Sequence, residues 1–275
     1  MEDERKISHR KVDRAATDGL TDLDRLAVRE RPVGRPLMHQ SWGKLLFMHW
    51  RVDAERLRAL VPKQLEMDTF DGSAWIAIAP FTMWDTRALP GLLPPIPGFS
   101  CMHELNVRTY VHFDRVPGVW FFSLDCNSAA AVLGARAFYF LPYYKADIEL
   151  KQEALTIDYA LVRTDEPPRG ARPGRPTHVR TEFRAVWTIG ERIPVSEPGS
   201  LEFFLTERYC LYSERAGEIY RARIHHAPWP LQKAGLSLLS STMIESLGLA
   251  TPKDDPLLHY AEELKVDIWP IRKAH

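Results

Sequence analysis

The stretch Met102-His-Glu-Leu-Asn-Val-Arg-Thr-Tyr-Val111 decides the fold class, because polar and apolar side chains alternate along it. Successive side chains of a β-strand point to opposite faces of the sheet. One face of this strand then carries the core-like side chains Leu105, Val107, Thr109 and Val111. The other face carries the polar side chains Glu104, Asn106, Arg108 and Tyr110. The polar face lies either in water or along a cavity, and the alternation is compatible with both.

The same polar face is a candidate ligand site. Alternate strand residues are about 7 Å apart, so a carboxylate, an amide and a guanidinium line up along one strand. Such a row of groups is suited to positioning a small polar ligand in a pocket. We therefore take Asn106, Arg108 and Tyr110 as candidate substrate-binding residues beside Glu104.

Further short apolar or alternating segments predict an α+β protein that is mainly β, with a few edge helices. The predicted strands cover residues 44–51, 73–83, 104–113, 119–125, 138–150, 155–163, 178–191, 218–225 and 264–271. Helices are predicted at residues 21–31, after Asp53, at the start of 200–212, and over 231–249, where leucines recur at helical spacing. Two connections stand out, an apolar, proline-rich loop at 88–98 and an exposed loop at 165–177.

The chain divides into a charged N-terminal tail, residues 1–37, and one domain, residues 38–275. The tail carries charges of both signs and no aromatic residue. It is expected to be loosely ordered or to pack on a neighbouring subunit in a homo-oligomer.

Composition excludes several classes of protein. With 36 basic and 36 acidic residues among 275, the formal net charge is zero, which argues against a broadly basic nucleic-acid binder. A 45% hydrophobic content argues against a disordered chain. No apolar run approaches the roughly 20 residues of a membrane span, and the first thirty residues lack the apolar core of a signal peptide. Three widely spaced cysteines predict reduced thiols and a cytoplasmic location.

A second cluster of chemically useful residues is Arg136-Ala-Phe-Tyr-Phe-Leu-Pro-Tyr-Tyr-Lys145. Pro142 within an apparent strand predicts a bulge or an edge. Tyr143 and Lys145 then share one face, and Tyr144 points the opposite way. Lys145 is either an amine made nucleophilic by burial among aromatic rings, or a surface cation beside Asp147.

Several motifs in order resemble the acetoacetate decarboxylase-like superfamily, and within it the YqjF-like branch, over about residues 38–272. The motifs are Glu104-Leu-Asn-Val-Arg-Thr-Tyr-Val111, Gly118-Val-Trp-Phe-Phe-Ser-Leu-Asp125, Leu141-Pro-Tyr-Tyr144, Phe204-Leu-Thr-Glu-Arg-Tyr-Cys-Leu-Tyr212 and His226-Ala-Pro-Trp-Pro-Leu231. The resemblance implies a partly closed, cone-like antiparallel β-barrel with a ligand pocket inside.

The resemblance also implies site residues, and here the chain departs from the family. The decarboxylase's catalytic glutamate matches Glu104, and its Pro-Lys-Lys segment falls on Pro142, Tyr143 and Tyr144. A phenol cannot form the imine that the first of those lysines forms. Lys145 lies two positions past the expected place and would reach the pocket only through an extra bulge residue. Decarboxylation by the usual Schiff-base route is therefore not expected.

Metal and nucleotide cofactors are not expected. Histidines show no metal-binding spacing such as HExxH, and no GxGxxG, P-loop or GxSxG motif occurs at a suitable junction. His225 and His226 point to opposite faces if they lie in a strand, which argues against a shared ion. Glu207 and Arg208 form either a buried structural ion pair or, through Arg208, part of the pocket.

The sequence thus predicts cofactor-free acid–base chemistry, of lyase or isomerase type, on a small oxo or carboxylate compound. The candidate catalytic residues are Glu104, Tyr143 and Lys145, and the candidate substrate-binding residues are Asn106, Arg108, Tyr110, Tyr144 and Arg136. The alternatives are a protein that binds or senses the same ligand without chemistry, and a scaffold whose pocket is filled. The expected partner is a small carbonyl or carboxylate molecule, with neither nucleic acid nor membrane.

Overall fold

The computed structural model describes residues 19–89, 101–165 and 180–275. Most of the two predicted loops, 88–98 and 165–177, lies outside the described residues, as do the first 18 residues of the tail. Within the described ranges, no helix has the length and apolarity required to cross a membrane.

The fold is dominated by strands, with short helices between some of them. The strands are β1 Met38–Val52, β2 Glu66–Met67, β3 Ala74–Ala88, β4 Cys101–Phe113, β5 Val116–Cys126, β6 Tyr143–Glu153, β7 Thr156–Arg163, β8 Glu182–Arg192, β9 Cys210–Arg215, β10 Glu218–His226, β11 Leu231–Ser241, β12 Leu257–Ile268 and β13 Arg272–Lys273. The helices are α1 Asp22–Ala27, α2 Ala54–Arg58, α3 Ala129–Phe138 and α4 Leu201–Thr206, with a 3₁₀ turn at Glu245–Leu247. The mainly β fold class is confirmed.

All thirteen strands in the described ranges belong to one sheet that closes on itself. Nine of them form a ring in the order β5-β6-β7-β8-β11-β12-β1-β3-β4, and β4 pairs again with β5. The pairings around the ring are antiparallel except that of β5 with β6. Strands β9 and β10 connect β5 to β12. This is the partly closed barrel that the resemblance implied.

Strand pairing brings the two polar clusters of the sequence together. Glu104 of β4 is the register partner of Cys126 of β5, and Cys126 is the partner of Lys145 of β6. Two residues earlier on β6, Tyr143 pairs with Leu124. Since register partners share a face of the sheet, Tyr143 lies on the face that carries Glu104.

Two helix and strand predictions were wrong. Residues 231–241 form strand β11 and not a helix, because their pairing with β8 and β12 outweighs the helical spacing of the leucines. Residues 129–138 form α3, whereas a strand was predicted from 138. Ser128 caps this helix by accepting a hydrogen bond from the Ala131 amide, and the alanines that follow are strong helix formers.

Helix α1 lies within the predicted residues 21–31, and the side chain that it buries is basic rather than apolar. Leu23 is 77% exposed, whereas Arg25 is buried. Arg25 makes a two-pronged ion pair with Asp68, at 2.6 Å for both N–O distances. The carboxylate partner on the body of the protein therefore decides which side of α1 faces inward. The division at residue 38 and subunit packing by the tail stay predictions.

Candidate functional site

The candidate site centres on a hydrogen bond between the Tyr143 hydroxyl and Glu104. The phenol donates to Glu104 Oε2 over 2.6 Å. Glu104 is 2% exposed, and Tyr143 is half-buried. The structure thus joins two residues that are 39 positions apart in the chain.

The surroundings of Glu104 set its proton affinity near neutrality. Burial raises the pKa of the carboxyl from its ordinary 4.5 to about 7, against the opposing effect of hydrogen bonds from Tyr143 and Asn106. Burial and the Glu104 carboxylate raise the pKa of Tyr143 well above 10, so the phenol keeps its proton. A carboxyl with a pKa near 7 can exchange a proton at physiological pH, which is the property a general acid or base requires.

Asn106 and Arg108 lie next along the same face of β4. Asn106 is buried and hydrogen-bonds to the Glu104 carboxyl. Arg108 is half-buried, and its guanidinium carbon lies 5.2 Å from the centre of the Phe47 ring. The sequence prediction that Glu104, Asn106 and Arg108 share one face is confirmed by the register. Carboxyl, amide and guanidinium groups thus form a polar row.

Tyr110 ends this row as a supporting residue. It is fully buried, and its hydroxyl donates to the Leu205 carbonyl over 2.8 Å. The same oxygen lies 2.7 Å from His49 Nε2 and hydrogen-bonds to Arg108. Its hydroxyl therefore holds neighbouring side chains in place and is committed to protein partners.

Lys145 lies on the face that was predicted, but its amine has other partners. Its Nζ donates to the Ala146 carbonyl over 3.0 Å and lies 3.6 Å from Asp147 Oδ1. The side chain is one-third exposed. These contacts match the reading of a surface cation beside Asp147 and place the amine in protein contacts at the edge of the site.

Tyr144 and Arg136 are not brought to the carboxyl of Glu104. Tyr144 is buried on the opposite side of β6, where the Arg163 guanidinium carbon lies 3.9 Å from its ring centre. Arg136 donates to the Tyr143 carbonyl over 2.8 Å and pairs with Asp165. Both therefore fix the backbone at Tyr143, and their direct contact with a ligand stays a prediction.

His49 is a site residue that the sequence reasoning missed. It lies inside a predicted strand, and no motif in the sequence marks it. Its ring stacks on Phe47 at 5.8 Å and contacts Tyr110, so it belongs to the same polar face. Phe47 and His49 are alternate residues of the predicted strand 44–51 and therefore share one of its faces. That shared face is the signal in the sequence that could have identified His49.

Metal binding finds no support among the residues described. No cluster of three or more histidine, cysteine, aspartate or glutamate side chains in those ranges has a geometry suited to holding an ion.

Comparison with known proteins identifies the family. The family model DUF2071, described as an uncharacterized conserved protein, matches residues 39–265. The uncharacterized protein YqjF of Bacillus subtilis is 41% identical over 242 residues, which cover 88% of this chain and 94% of YqjF.

Solved structures with the same fold include enzymes. The enduracididine biosynthesis enzyme MppR, complexed with the condensation product of pyruvate and imidazole 4-carboxaldehyde, superposes with a TM-score of 0.59 at 15% identity, covering 88% of this chain and 90% of MppR. Acetoacetate decarboxylase from Legionella pneumophila gives 0.56 at 13% identity, covering 95% and 98%. The matches to DUF2071 and YqjF, on a closed sheet shared with these enzymes, show that the chain belongs to the DUF2071 family, a YqjF-like branch with the acetoacetate decarboxylase-like fold.

Proposed function

We propose that this protein catalyses cofactor-free acid–base chemistry on a small oxo acid, with Glu104 as the group that takes and returns the proton. The observation that carries the proposal is the buried Glu104 carboxyl, held by the Tyr143 hydroxyl at 2.6 Å and with a pKa of about 7. Arg108 supplies the positive charge for a ligand carboxylate on the same face.

The chemistry that this arrangement supports is enolisation. The Glu104 carboxylate removes a proton from the carbon next to the ligand carbonyl, and the C–H electron pair becomes the enolate π bond. Negative charge then develops on the carbonyl oxygen, where a neutral phenol is a suitable hydrogen-bond donor. We assign this donor role to Tyr143, whose hydroxyl lies at Glu104 and keeps its proton because its pKa is raised. Return of the proton from Glu104 regenerates both the ligand and the carboxylate.

The fold neighbours support a small oxo acid as the ligand class. One MppR structure is described as a complex with pyruvate, and another holds a condensation product of pyruvate. At 15% identity these neighbours share the fold with this chain, so the choice of pyruvate as a probe is part of the proposal.

The test is exchange of the pyruvate methyl protons with solvent deuterium, followed by proton NMR. Wild-type protein is expected to accelerate exchange above the rate in buffer, and Glu104→Gln is expected to lose at least 100-fold of that acceleration. Glu149→Gln, a change at an exposed carboxylate of β6, is the matched control and should exchange as wild type does. Equal rates for wild type and Glu104→Gln would overturn the assignment.

Binding without chemistry is the second candidate, because Tyr143 stands where the resemblance places the imine-forming lysine. That function predicts that pyruvate binds and is recovered without deuterium. Borohydride treatment with pyruvate tests a third possibility, namely Schiff-base formation at Lys145. We expect no adduct at Lys145, and an adduct there would show Schiff-base chemistry in place of the proposed route.

A further inference from the structure

His49 lies in the same cross-strand row as Arg108. His49 of β1 is the register partner of Ala77 of β3, and Ala77 is the partner of Arg108 of β4. Strands are about 4.8 Å apart, so His49 and Arg108 flank a strand that presents only a methyl group between them. Ala79, two residues along β3, is the register partner of Asn106. Small alanine side chains of β3 therefore lie beside Asn106 and between His49 and Arg108.

The hydrogen bonds around Tyr110 determine the tautomer of His49. A phenol has one proton, and a carbonyl oxygen can only accept, so the Tyr110 hydroxyl proton goes to Leu205. The contact of 2.7 Å between Tyr110 and His49 Nε2 then requires that Nε2 carries the proton and donates it to the phenol oxygen. Burial and the nearby Arg108 guanidinium hold the pKa of His49 well below 6.5, so the ring is neutral. Its Nδ1 atom therefore presents a lone pair.

That lone pair is buried and has no hydrogen-bond partner in the described parts of the chain. His49 is 1% exposed, and a buried acceptor without a hydrogen bond is destabilising. Asn106 repeats the situation. Its amide nitrogen is the group that reaches Glu104, since its Oδ1 atom is a second buried acceptor without a partner among those residues. Arg108 Nε is a buried donor in the same condition.

Two buried acceptors, His49 Nδ1 and Asn106 Oδ1, and one buried donor, Arg108 Nε, thus belong to residues of the face that carries Glu104. A simple oxo acid has only acceptor oxygens, so it would satisfy Arg108 and leave both acceptors unpaired. A ligand with a hydroxyl group beside its carbonyl would satisfy the acceptors as well.

We propose that His49 is a specificity-determining binding residue whose Nδ1 atom accepts a hydrogen bond from a ligand hydroxyl, and that the ligands of this site are hydroxylated oxo acids. The inference rests on the proposed function for the site itself and names the substrate class. In this assignment Arg108 binds the ligand carboxylate, the ligand hydroxyl donates to His49 Nδ1, and Glu104 keeps its role as the base.

Binding of two probes that differ by one hydroxyl tests this inference. Titration calorimetry with 3-hydroxypyruvate and with pyruvate should show at least about tenfold tighter binding of the hydroxylated probe by wild type. Equal affinities would overturn the inference, whereas proton exchange on either probe would still support Glu104 as the base. Hydroxyl preference without proton exchange would overturn the proposed function alone.

Two variants of His49 distinguish the roles of its two ring nitrogen atoms. In His49→Gln the amide nitrogen can replace Nε2 and keep the bond to Tyr110, while the Nδ1 acceptor is lost. In His49→Asn the amide oxygen can take the place of Nδ1. We expect His49→Gln to bind the two probes within about threefold of each other and His49→Asn to keep the preference. The opposite order would assign the hydroxyl to another acceptor and overturn the role of His49.

A spectroscopic measurement on the wild-type protein needs no variant. With ¹⁵N-labelled histidine, the Nδ1 resonance of His49 should be that of a non-protonated ring nitrogen between pH 6 and 8. It should shift on addition of 3-hydroxypyruvate and stay in place with pyruvate. A protonated Nδ1 in the free protein would contradict the tautomer and the proposal.

Discussion

At the scale of single residues, the site depends on two opposing effects at Glu104. Removal from water disfavours the carboxylate, and the donors Tyr143 and Asn106 favour it. The first effect is larger, so the group holds its proton up to about pH 7, in the range where a proton carrier works best.

The pKa of Glu104 makes a prediction about stability. The unfolded chain releases this proton near pH 4.5 and the folded chain near 7, so ionisation destabilises the folded state as pH rises through that window. The complete penalty, present above pH 7, is about 3 kcal/mol. Glu104→Gln cannot ionise. Relative to wild type, its free energy of unfolding should therefore increase by about 2–3 kcal/mol between pH 5 and pH 8, measured by urea denaturation at both values.

If the difference in free energy of unfolding between wild type and Glu104→Gln is the same at pH 5 and at pH 8, the folded protein does not raise the pKa of Glu104, and the prediction is wrong. Glu149→Gln serves again as the control, since this exposed carboxylate should show no such gain.

Tyr143→Phe makes a prediction about proton affinity. The variant removes a donor that favours the carboxylate but keeps the ring, so the pKa of Glu104 should rise further above 7. Carboxyl ¹³C NMR with labelled glutamate measures this shift directly. In proton exchange, the rising limb of the pH–rate profile should move to higher pH in the same variant. A lower pKa in Tyr143→Phe would contradict the assigned direction of the hydrogen bond.

At the scale of elements, the β5–β6 pairing positions the site. A buried ion pair on the other face of these strands stabilises that pairing. Asp125 of β5 accepts hydrogen bonds from Nε and Nη2 of Arg163 of β7, at 2.6 and 2.8 Å. The pair is almost fully buried, and the Arg163 guanidinium covers the Tyr144 ring. Three neighbouring strands are thereby fixed directly beside Tyr143.

Removing one member of this pair should be costly. Arg163→Met removes two charge-assisted hydrogen bonds to a fully buried carboxylate, and we expect a loss of about 3–5 kcal/mol in the free energy of unfolding. Arg184→Met is a matched control, because Arg184 makes a similar two-pronged pair with Asp158 but is 56% exposed. Its loss should stay below about 1 kcal/mol in the same urea titration. Equal losses of unfolding free energy in Arg163→Met and Arg184→Met would show that burial does not make the Asp125–Arg163 pair more important than an exposed pair.

Sequence reasoning recovered the elements whose pattern is local. Strand β4 was predicted from its alternation, and α2 from its capping residue Asp53, which accepts a hydrogen bond from the Glu55 amide. It failed where distant partners decide. The leucines of β11 obtain their strand conformation from β8, and nothing within residues 231–241 indicates that pairing.

The candidate site shows the same division. The shared face of Glu104, Asn106 and Arg108 follows from period-two geometry alone. The contact of Glu104 with Tyr143 required the family resemblance, since it depends on the register of β5 with β6. His49 was missed because its importance comes from Ala77 and Arg108 in other strands.

At the scale of the whole molecule, a second buried charge cluster attaches the N-terminal segment to the body. Asp68 binds Arg25 of α1 and also Arg208, which follows α4, at 2.5–2.6 Å. Both guanidinium groups lie near the Phe204 ring. A single carboxylate thus holds two cations from distant parts of the chain.

This arrangement predicts unequal effects of its members. Asp68→Asn leaves two buried guanidinium ions without their shared anion and should lower the free energy of unfolding by more than about 3 kcal/mol. Arg25→Met leaves the pair of Asp68 with Arg208 intact and should cost less than half as much. Thermal and urea unfolding of the two variants measure this order, and the reverse order would show that α1 contributes most of the cluster's stability.

Closure of the sheet has a consequence for how the protein reaches its working state. Glu104 lies in the β4–β5 hairpin and Tyr143 follows α3, so neither hairpin formation nor helix formation alone unites them. Their contact requires the parallel pairing of β5 with β6, a kind of pairing that is intrinsically slow to form. A chain in which β5 and β6 are not yet paired therefore lacks the Glu104–Tyr143 hydrogen bond. Only completely folded molecules would then contribute to the proposed activity.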